Sequence, residues 1–297
     1  MTKIGSFEKY LKFERRYSNH TVVSYLNDLD QFRIYMLANI GMTDESLIRH
    51  VHIRSWIVHL MKQEYTAKSI NRKISTLKSY FKYLKKIAYI KNNPTAKVIA
   101  PKIPKRLPKV VRADHMEKLF RPVDLSEFEP VRDQLIIDIL YSTGMRRSEL
   151  INLKMVDVNT DLKNLKVLGK GNKERLIPIS NKLITAIEDY KRLRIDIDAN
   201  GSPYLILTKS GKRAYPKLIY SIVSRHLATI TTADKRGPHT LRHSFATHMA
   251  SQGAELNAIK EILGHANLSA TEIYMHNSID RLKEVYQKSH PKASRKI

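Results

Sequence analysis

Four prolines, Pro94, Pro101, Pro104 and Pro108, interrupt this chain within fifteen residues. Proline has no amide hydrogen and its ring collides with the preceding helical turn, so no helix runs through this stretch. Lys102, Lys105 and Arg106 lie between the prolines and Lys109 follows the last, which makes the stretch an extended, stiff and basic linker. The chain of 297 residues is therefore expected to fold as two domains, at 1–93 and 111–297, joined by a linker at 94–110. Each part is long enough to bury its own core.

The part before the linker reads as helices. Phe7 to Phe13 opens an amphipathic segment, and Ser18-Asn19 can cap a second helix carrying Val22, Leu26, Leu29, Phe32 and Ile34. A third covers Leu47 to Met61 and holds the single tryptophan, Trp56. In the fourth, Ile70, Ile74, Leu77, Phe81 and Leu84 recur at spacings of three and four, which lines one helical face. Lys68, Arg72, Lys78, Lys82, Lys85 and Lys86 fall largely off that stripe.

From Tyr65 to Ala113 there is no acidic residue, against fourteen lysines and arginines. A solvated helix usually mixes both signs, because Glu–Lys pairs one turn apart stabilise it. A single-sign surface repels itself unless a polyanion covers it. These six side chains, with Lys105 and Arg106 of the linker, are accordingly candidates for contact with a DNA backbone. The whole chain agrees: 53 basic against 28 acidic side chains give a net charge of +25.

After the linker, Val131 to Ser142 reads as a helix that Gly144 ends. Leu165–Leu168 and Arg175–Ile179 flank Gly169-Lys-Gly-Asn172 as a β-hairpin. Tyr204 to Leu207 resembles another short strand. Beyond Pro216 helices are expected at 217–230, 239–251, 255–263, 269–276 and 279–288. The fold class is thus mainly α with a small β region, a helical domain followed by a mixed, mostly helical one.

Six residues of this second part form a set able to break a phosphodiester: Arg146, Lys170, His239, Arg242, His265 and Tyr274. Arginine offers a charged fork that matches phosphate oxygens. Histidine exchanges a proton near neutral pH. Tyrosine can carry a covalent intermediate. Singly, each has a bland reading: a surface charge, an idle turn lysine, a helix-starting or capping histidine, one of fifteen tyrosines. Their order and spacing carry more. His239-x-x-Arg242 puts two side chains one turn apart, Leu263-Gly-His265 reorients the chain, and Tyr274 follows nine residues on.

That string, with Thr143-Gly-Met-Arg-Arg-Ser-Glu-Leu150 upstream, resembles the tyrosine recombinase (phage integrase) family. Within the family it is most similar to the bacterial recombinases that resolve chromosome dimers. Asn19-His-Thr-Val-Val-Ser-Tyr-Leu-Asn-Asp-Leu29 looks like the first helix of the family's DNA-clamping core-binding domain. Gly169-Lys-Gly-Asn-Lys-Glu-Arg175 looks like its lysine hairpin, and the tail Arg281–Lys292 continues the likeness. Around the tyrosine, Ala270, Glu272 and Met275 depart from the common pattern without removing a catalytic group.

The resemblance implies a two-domain clamp on double-stranded DNA bearing a short inverted-repeat site. It implies Tyr274 as nucleophile, His239 as its base, Arg146, Arg242 and His265 on the scissile phosphate, and Lys170 as general acid. It further implies a 3′-phosphotyrosyl bond, a Holliday junction, a homo- or heterotetramer and, in the chromosomal role, a DNA translocase as partner. The C-terminal helix with Ile279, Leu282, Val285 and Tyr286 either packs on its own domain or, as the resemblance suggests, is lent to a neighbouring subunit. A mobile-element integrase, a type IB topoisomerase-like enzyme and a non-catalytic DNA-binding protein are the alternatives. Should Tyr274 not be the nucleophile, Tyr286 is the next candidate.

No cofactor is expected. His239 and His243 have a zinc-compatible spacing, but His-Glu-x-x-His, cysteine and a nearby completing carboxylate are all missing. Gly169-Lys-Gly lacks the P-loop pattern, and no Gly-x-Gly-x-x-Gly appears. The absence of cysteine, of a signal-peptide core and of long apolar runs leads to the expectation of a cytoplasmic protein with no membrane partner.

Overall fold

The computed structural model describes residues 3–103, 110–120, 122–169, 172–231, 236–264 and 283–291. It divides into two compact units, Met1–Arg106 and Leu107–Ile297. Both are mainly helical, and a small antiparallel sheet belongs to the second.

In the first unit α1 (Lys3–Lys9) runs into a π-helical turn at Tyr10–Glu14. Helix α2 (Asn19–Ile40) opens on Ser18, whose hydroxyl accepts the Thr21 amide, and closes on Gly41 at φ 68°. Helices α3 (His50–Lys62) and α4 (Ala67–Lys86) follow, the latter opened by Thr66 accepting from the Ser69 amide. The five stripe residues of α4 are each at most 2% exposed, so the period read from the sequence is the core face. They meet Phe7, Phe32 and Trp56 in one cluster, with Trp56 edge-on to Phe32. Two details differ from expectation. Ile34 faces outward, because the inward stripe of α2 runs through Val22, Leu29, Phe32 and Met36. Leu47 belongs to a separate 3₁₀ turn, Glu45–Leu47, and α3 starts only at His50.

The second unit opens with the short α5 (Ala113–Glu117) and the long α6 (Phe128–Thr143). Leu135, Ile136, Ile137, Ile139 and Leu140 are all buried, so α6 is covered on every side. Next come α7 (Arg147–Asn152) and the strands β1 (Val158–Asn159), β2 (Asn164–Leu168) and β3 (Glu174–Pro178). The hairpin expected from the sequence is β2–β3, in register Leu165↔Ile177 and Val167↔Arg175. Strand β1 adds two residues at the far edge of β2. Helices α8 (Asn181–Ile197), α9 (Pro216–Ala228) and α10 (Pro238–Ser251) pack on α6, and α11 (Leu256–Leu263) packs on α10.

Tyr204–Leu207 is not a strand. It makes only isolated bridges, Lys154↔Tyr204 and Leu207↔Arg213. Side chains take the backbone groups a ladder would use: Arg194 donates to the Tyr204 carbonyl, and the Tyr190 hydroxyl accepts the Leu207 amide. Helix α8 is not among the expected elements, although Leu183, Ile187 and Tyr190 stand at helical spacing behind the capping Ser180. Residues 283–289 are helical, and Tyr286 lies in the core of its own unit. Residues 269–276, and the start of the helix expected at 279–288, lie outside the described residues.

Candidate active site

The site is built around the C-terminal ends of α6 and α11. Helix α6 ends on Gly144 in the left-handed region, at φ 59°. A Cβ there would stand 2.5 Å from Cδ1 of Phe245, so the turn is closed to other residues. Two residues on, Arg146 is the N-cap of α7. Its amide donates to Oε2 of Glu149 at 2.7 Å and its Nη1 to Oε1 at 2.8 Å. Glu149 thus caps the helix N-terminus and fixes the arginine together.

Arg175, on β3, reaches the same carboxylate through Nη1 and Nη2 at 3.1 and 2.8 Å, and donates Nε to the Ile262 carbonyl at 2.7 Å. Burial opposes ionisation of Glu149, but the hydrogen bonds and charge of Arg175, then the Arg146 contacts, outweigh it. The carboxyl is held below the usual carboxylate range.

Arg242 enters from α10, whose first turn is set by Gly237 and Pro238. It is 8% exposed and bridges two helix ends: Nη1 donates to the Gly144 carbonyl at 2.6 Å, Nη2 to the Leu263 carbonyl at 2.8 Å. Those carbonyls carry the partial negative charge of α6 and α11. Burial, followed by the charge of Arg146, lowers the guanidinium to about 10, so it stays a cation at neutral pH. His239 lies one turn before Arg242 and is exposed. Loss of surrounding water, then the cations and His243 beside it, holds the imidazole below its ordinary value, leaving it neutral near pH 7.

Of the six residues singled out from the sequence, the structure therefore assembles Arg146, His239 and Arg242. Lys170, His265 and Tyr274 lie outside the described residues, as do Lys105 and Arg106 of the linker. The neighbours of two of them are placed. A Cβ on Gly169 would stand 3.3 Å, and one on Gly264 3.1 Å, from Nη1 of Arg175. The Gly264 carbonyl also accepts from Nη2 of Arg146 at 3.5 Å. Tyr286, the second choice for a nucleophile, is 1% exposed and stacked on His290, and burial pushes its hydroxyl far up. A buried phenol of this kind is closed to a DNA strand.

Glu149 and Arg175 carry no assigned role in the sequence reading, though both lie inside its quoted motifs. The available signal was the Arg146-x-x-Glu149 spacing of a capping box. Three arginines and a neutral histidine around one carboxylate leave a net charge of +2, suited to a phosphate. Among the described residues, no group of three or more His, Cys, Asp and Glu is arranged to hold a metal ion.

In the first unit, Lys68, Arg72, Lys78, Lys82, Lys85 and Lys86 are all exposed on the outer face of α4. Lys86 pairs with Glu14 at 2.6 Å and Arg72 with Asp28.

A basic helical unit and a second unit with a cationic cradle for a phosphate define an enzyme that works on nucleic acid, and comparison with known proteins narrows the class. The model of the phage integrase family matches residues 109–281, and that of the phage integrase N-terminal SAM-like domain matches residues 4–87. The tyrosine recombinase XerC of Pelobacter propionicus is 37% identical, over 99% of this chain and 96% of its own. The tyrosine recombinase XerC of Lacticaseibacillus casei is 36% identical over 98% and 99%. Among solved structures, the XerH site-specific recombinase on palindromic difH substrate shares the fold, with a TM-score of 0.69 at 20% identity over 95% of this chain and 93% of that one. The chain belongs to the phage integrase family. It is a tyrosine recombinase, an enzyme that cleaves and rejoins DNA strands.

Proposed function

We propose that this recombinase acts on the chromosome, exchanging strands at a short inverted-repeat, dif-like site so that dimeric chromosomes are resolved. Its relatives named XerC support that role. The observation that carries the chemistry is the convergence of Arg146 and Arg242, the second anchored on the carbonyl of Gly144, two residues before the first.

In this reading the two guanidiniums and His265 hold the non-bridging oxygens of the scissile phosphate. The phenolic oxygen of Tyr274 attacks phosphorus as the bond to the 5′ oxygen breaks. The phenol proton passes to His239, which its environment keeps neutral and ready to accept it. Lys170, which lies between β2 and β3 in the sequence, protonates the departing 5′ oxygen. Preorganised donors of this kind stabilise the charge that grows on the phosphoryl group. The 3′-phosphotyrosyl bond retains the ester energy, so a 5′ hydroxyl of the partner duplex reverses the step and exchanges the strand.

The protein works as a tetramer on two duplexes, of itself or with a paralogue, in the cytoplasm and beside a DNA translocase. Residues 1–93 and 111–297 act as a clamp closed by the basic linker. No helix among the described residues is long and apolar enough to cross a membrane.

A duplex nicked beside the cleavage point tests this. The wild type leaves a covalent adduct after denaturation, on one inverted-repeat sequence and without a divalent metal. Tyr274→Phe binds the same duplex and leaves none. Adducts from Tyr274→Phe would remove Tyr274 from its role, and adducts on unrelated sequences would favour a relaxing enzyme.

A further inference from the structure

Of the six basic side chains on the outer face of α4, Arg72 alone is an arginine. Its Nη1 donates to Ser24 Oγ at 2.6 Å and to Oδ2 of Asp28, both on α2. Asp28 is 1% exposed and is itself fixed, accepting Lys73 Nζ at 2.9 Å and the Thr76 hydroxyl at 3.0 Å. Lys73 is buried and donates also to Gln31. The side chain of Arg72 nevertheless remains 47% exposed.

This arrangement is poorly suited to generic attraction of a polyanion. Asp28 cancels one of the two adjacent positive charges, and a tied guanidinium cannot follow a phosphate as a free lysine does. It does suit recognition by direction. Both anchoring bonds use Nη1; among the described residues Nε and Nη2 donate to nothing. Their parallel N–H groups match N7 and O6 of guanine in the major groove. Beside Arg72, α2 presents the half-buried Ser24 and the exposed Asn27 and Gln31, which recur at helical spacing. These are uncharged donors and acceptors of the kind that read base edges, whereas the lysines of α4 suit the backbone.

We infer that Arg72, held by Asp28 and Ser24 at the seam of α2 and α4, reads a guanine in each half-site and is a determinant of target sequence. The inference rests on the DNA-binding reading of α4 given above. Asp28 acts as a positioning residue through Arg72.

The test is selection of bound duplexes from a random pool by wild type, Arg72→Lys, Arg72→Ala and Ser24→Ala, with the salt dependence of binding to the wild-type site. Arg72→Lys keeps the charge and loses the fork. It should lose a guanine preference of about 5- to 150-fold at one base pair of each half-site. Its salt slope and its choices at other positions should stay as in the wild type. Ser24→Ala should weaken that same preference without shifting it elsewhere. Asp28→Asn should do so more strongly, and because Asp28 is buried, the Arg72 and Ser24 variants carry the test if that variant does not fold. Unchanged selection by Arg72→Lys would overturn the inference. So would a uniform loss by Arg72→Ala with a slope lowered by about one, the mark of a phosphate contact. A wild type that selects no sequence at all would instead remove the site-specific reading itself.

Discussion

Glu149 shows how one carboxylate organises a site made of cations. It accepts four hydrogen bonds, two from Arg146 and two from Arg175. Deleting it leaves Arg175, mostly buried, without its counter-charge. Glu149→Ala should therefore cost about 3–5 kcal/mol in urea unfolding at pH 7, as the loss of one partner of a buried ion pair does. Acid gives the sign. The folded carboxyl titrates below its unfolded value of about 4.3, so its stabilisation is complete above that value and is lost as pH falls through the folded one. The stability difference between wild type and Glu149→Gln should accordingly shrink below about pH 4. A difference that stays constant into acid would show that Glu149 is not held as an ion. Strand cleavage should fall in both variants, because the forks of Arg146 and Arg175 lose their common anchor.

The ends of the elements, more than their interiors, place the site. Gly144 closes α6, and its carbonyl anchors Arg242. Gly144→Ala meets two penalties, a left-handed backbone and a Cβ driven into Phe245 and Leu263. Together these amount to about 2–5 kcal/mol. Gly253, at φ 84° in the same unit, has nothing within 4 Å, so Gly253→Ala should cost only about 1–2 kcal/mol. Thermal unfolding of the two variants compares them directly; equal losses would show that packing at the α6 end is not what demands glycine. Much at this scale was legible in the chain. The α4 stripe, the Gly144 terminator, the Ser18 cap and the β2–β3 hairpin follow from periodicity and turn chemistry. What escaped did so for physical reasons. The backbone of Tyr204–Leu207 is satisfied partly by the side chains of Arg194 and Tyr190 and partly by the backbone of Leu153 and Ala214, which no local pattern reports. Arg194, the buried arginine that takes the Tyr204 carbonyl, lies on α8 and interrupts that helix's apolar signal. Lys73 looks like its neighbours in a basic run, and only the fold reveals it buried against Asp28. The spacing to Arg146 marks Glu149 as a capping residue, but its pairing with Arg175 appears only in the fold.

At the scale of the whole molecule, charge is the dominant property. Two units with separate cores share a net charge of +25, and no acidic residue lies between Tyr65 and Ala113. A duplex bound by such a chain sheds condensed counterions, one for nearly every phosphate neutralised. With a dozen such contacts, log affinity should fall against log salt with a slope of about −10. The share of α4 is separable. Lys78 and Lys82 are exposed and in no ion pair among the described residues, whereas Lys86 is paired with Glu14. Replacing Lys78 and Lys82 together by glutamine should make the slope shallower by about 2, without altering which sequence is preferred. Titrations in a Tyr274→Phe background keep covalent attachment from distorting the equilibrium. A slope unmoved by the double substitution would take α4 off the DNA, and a flat salt response of the parent would deny that the excess charge serves a nucleic acid at all.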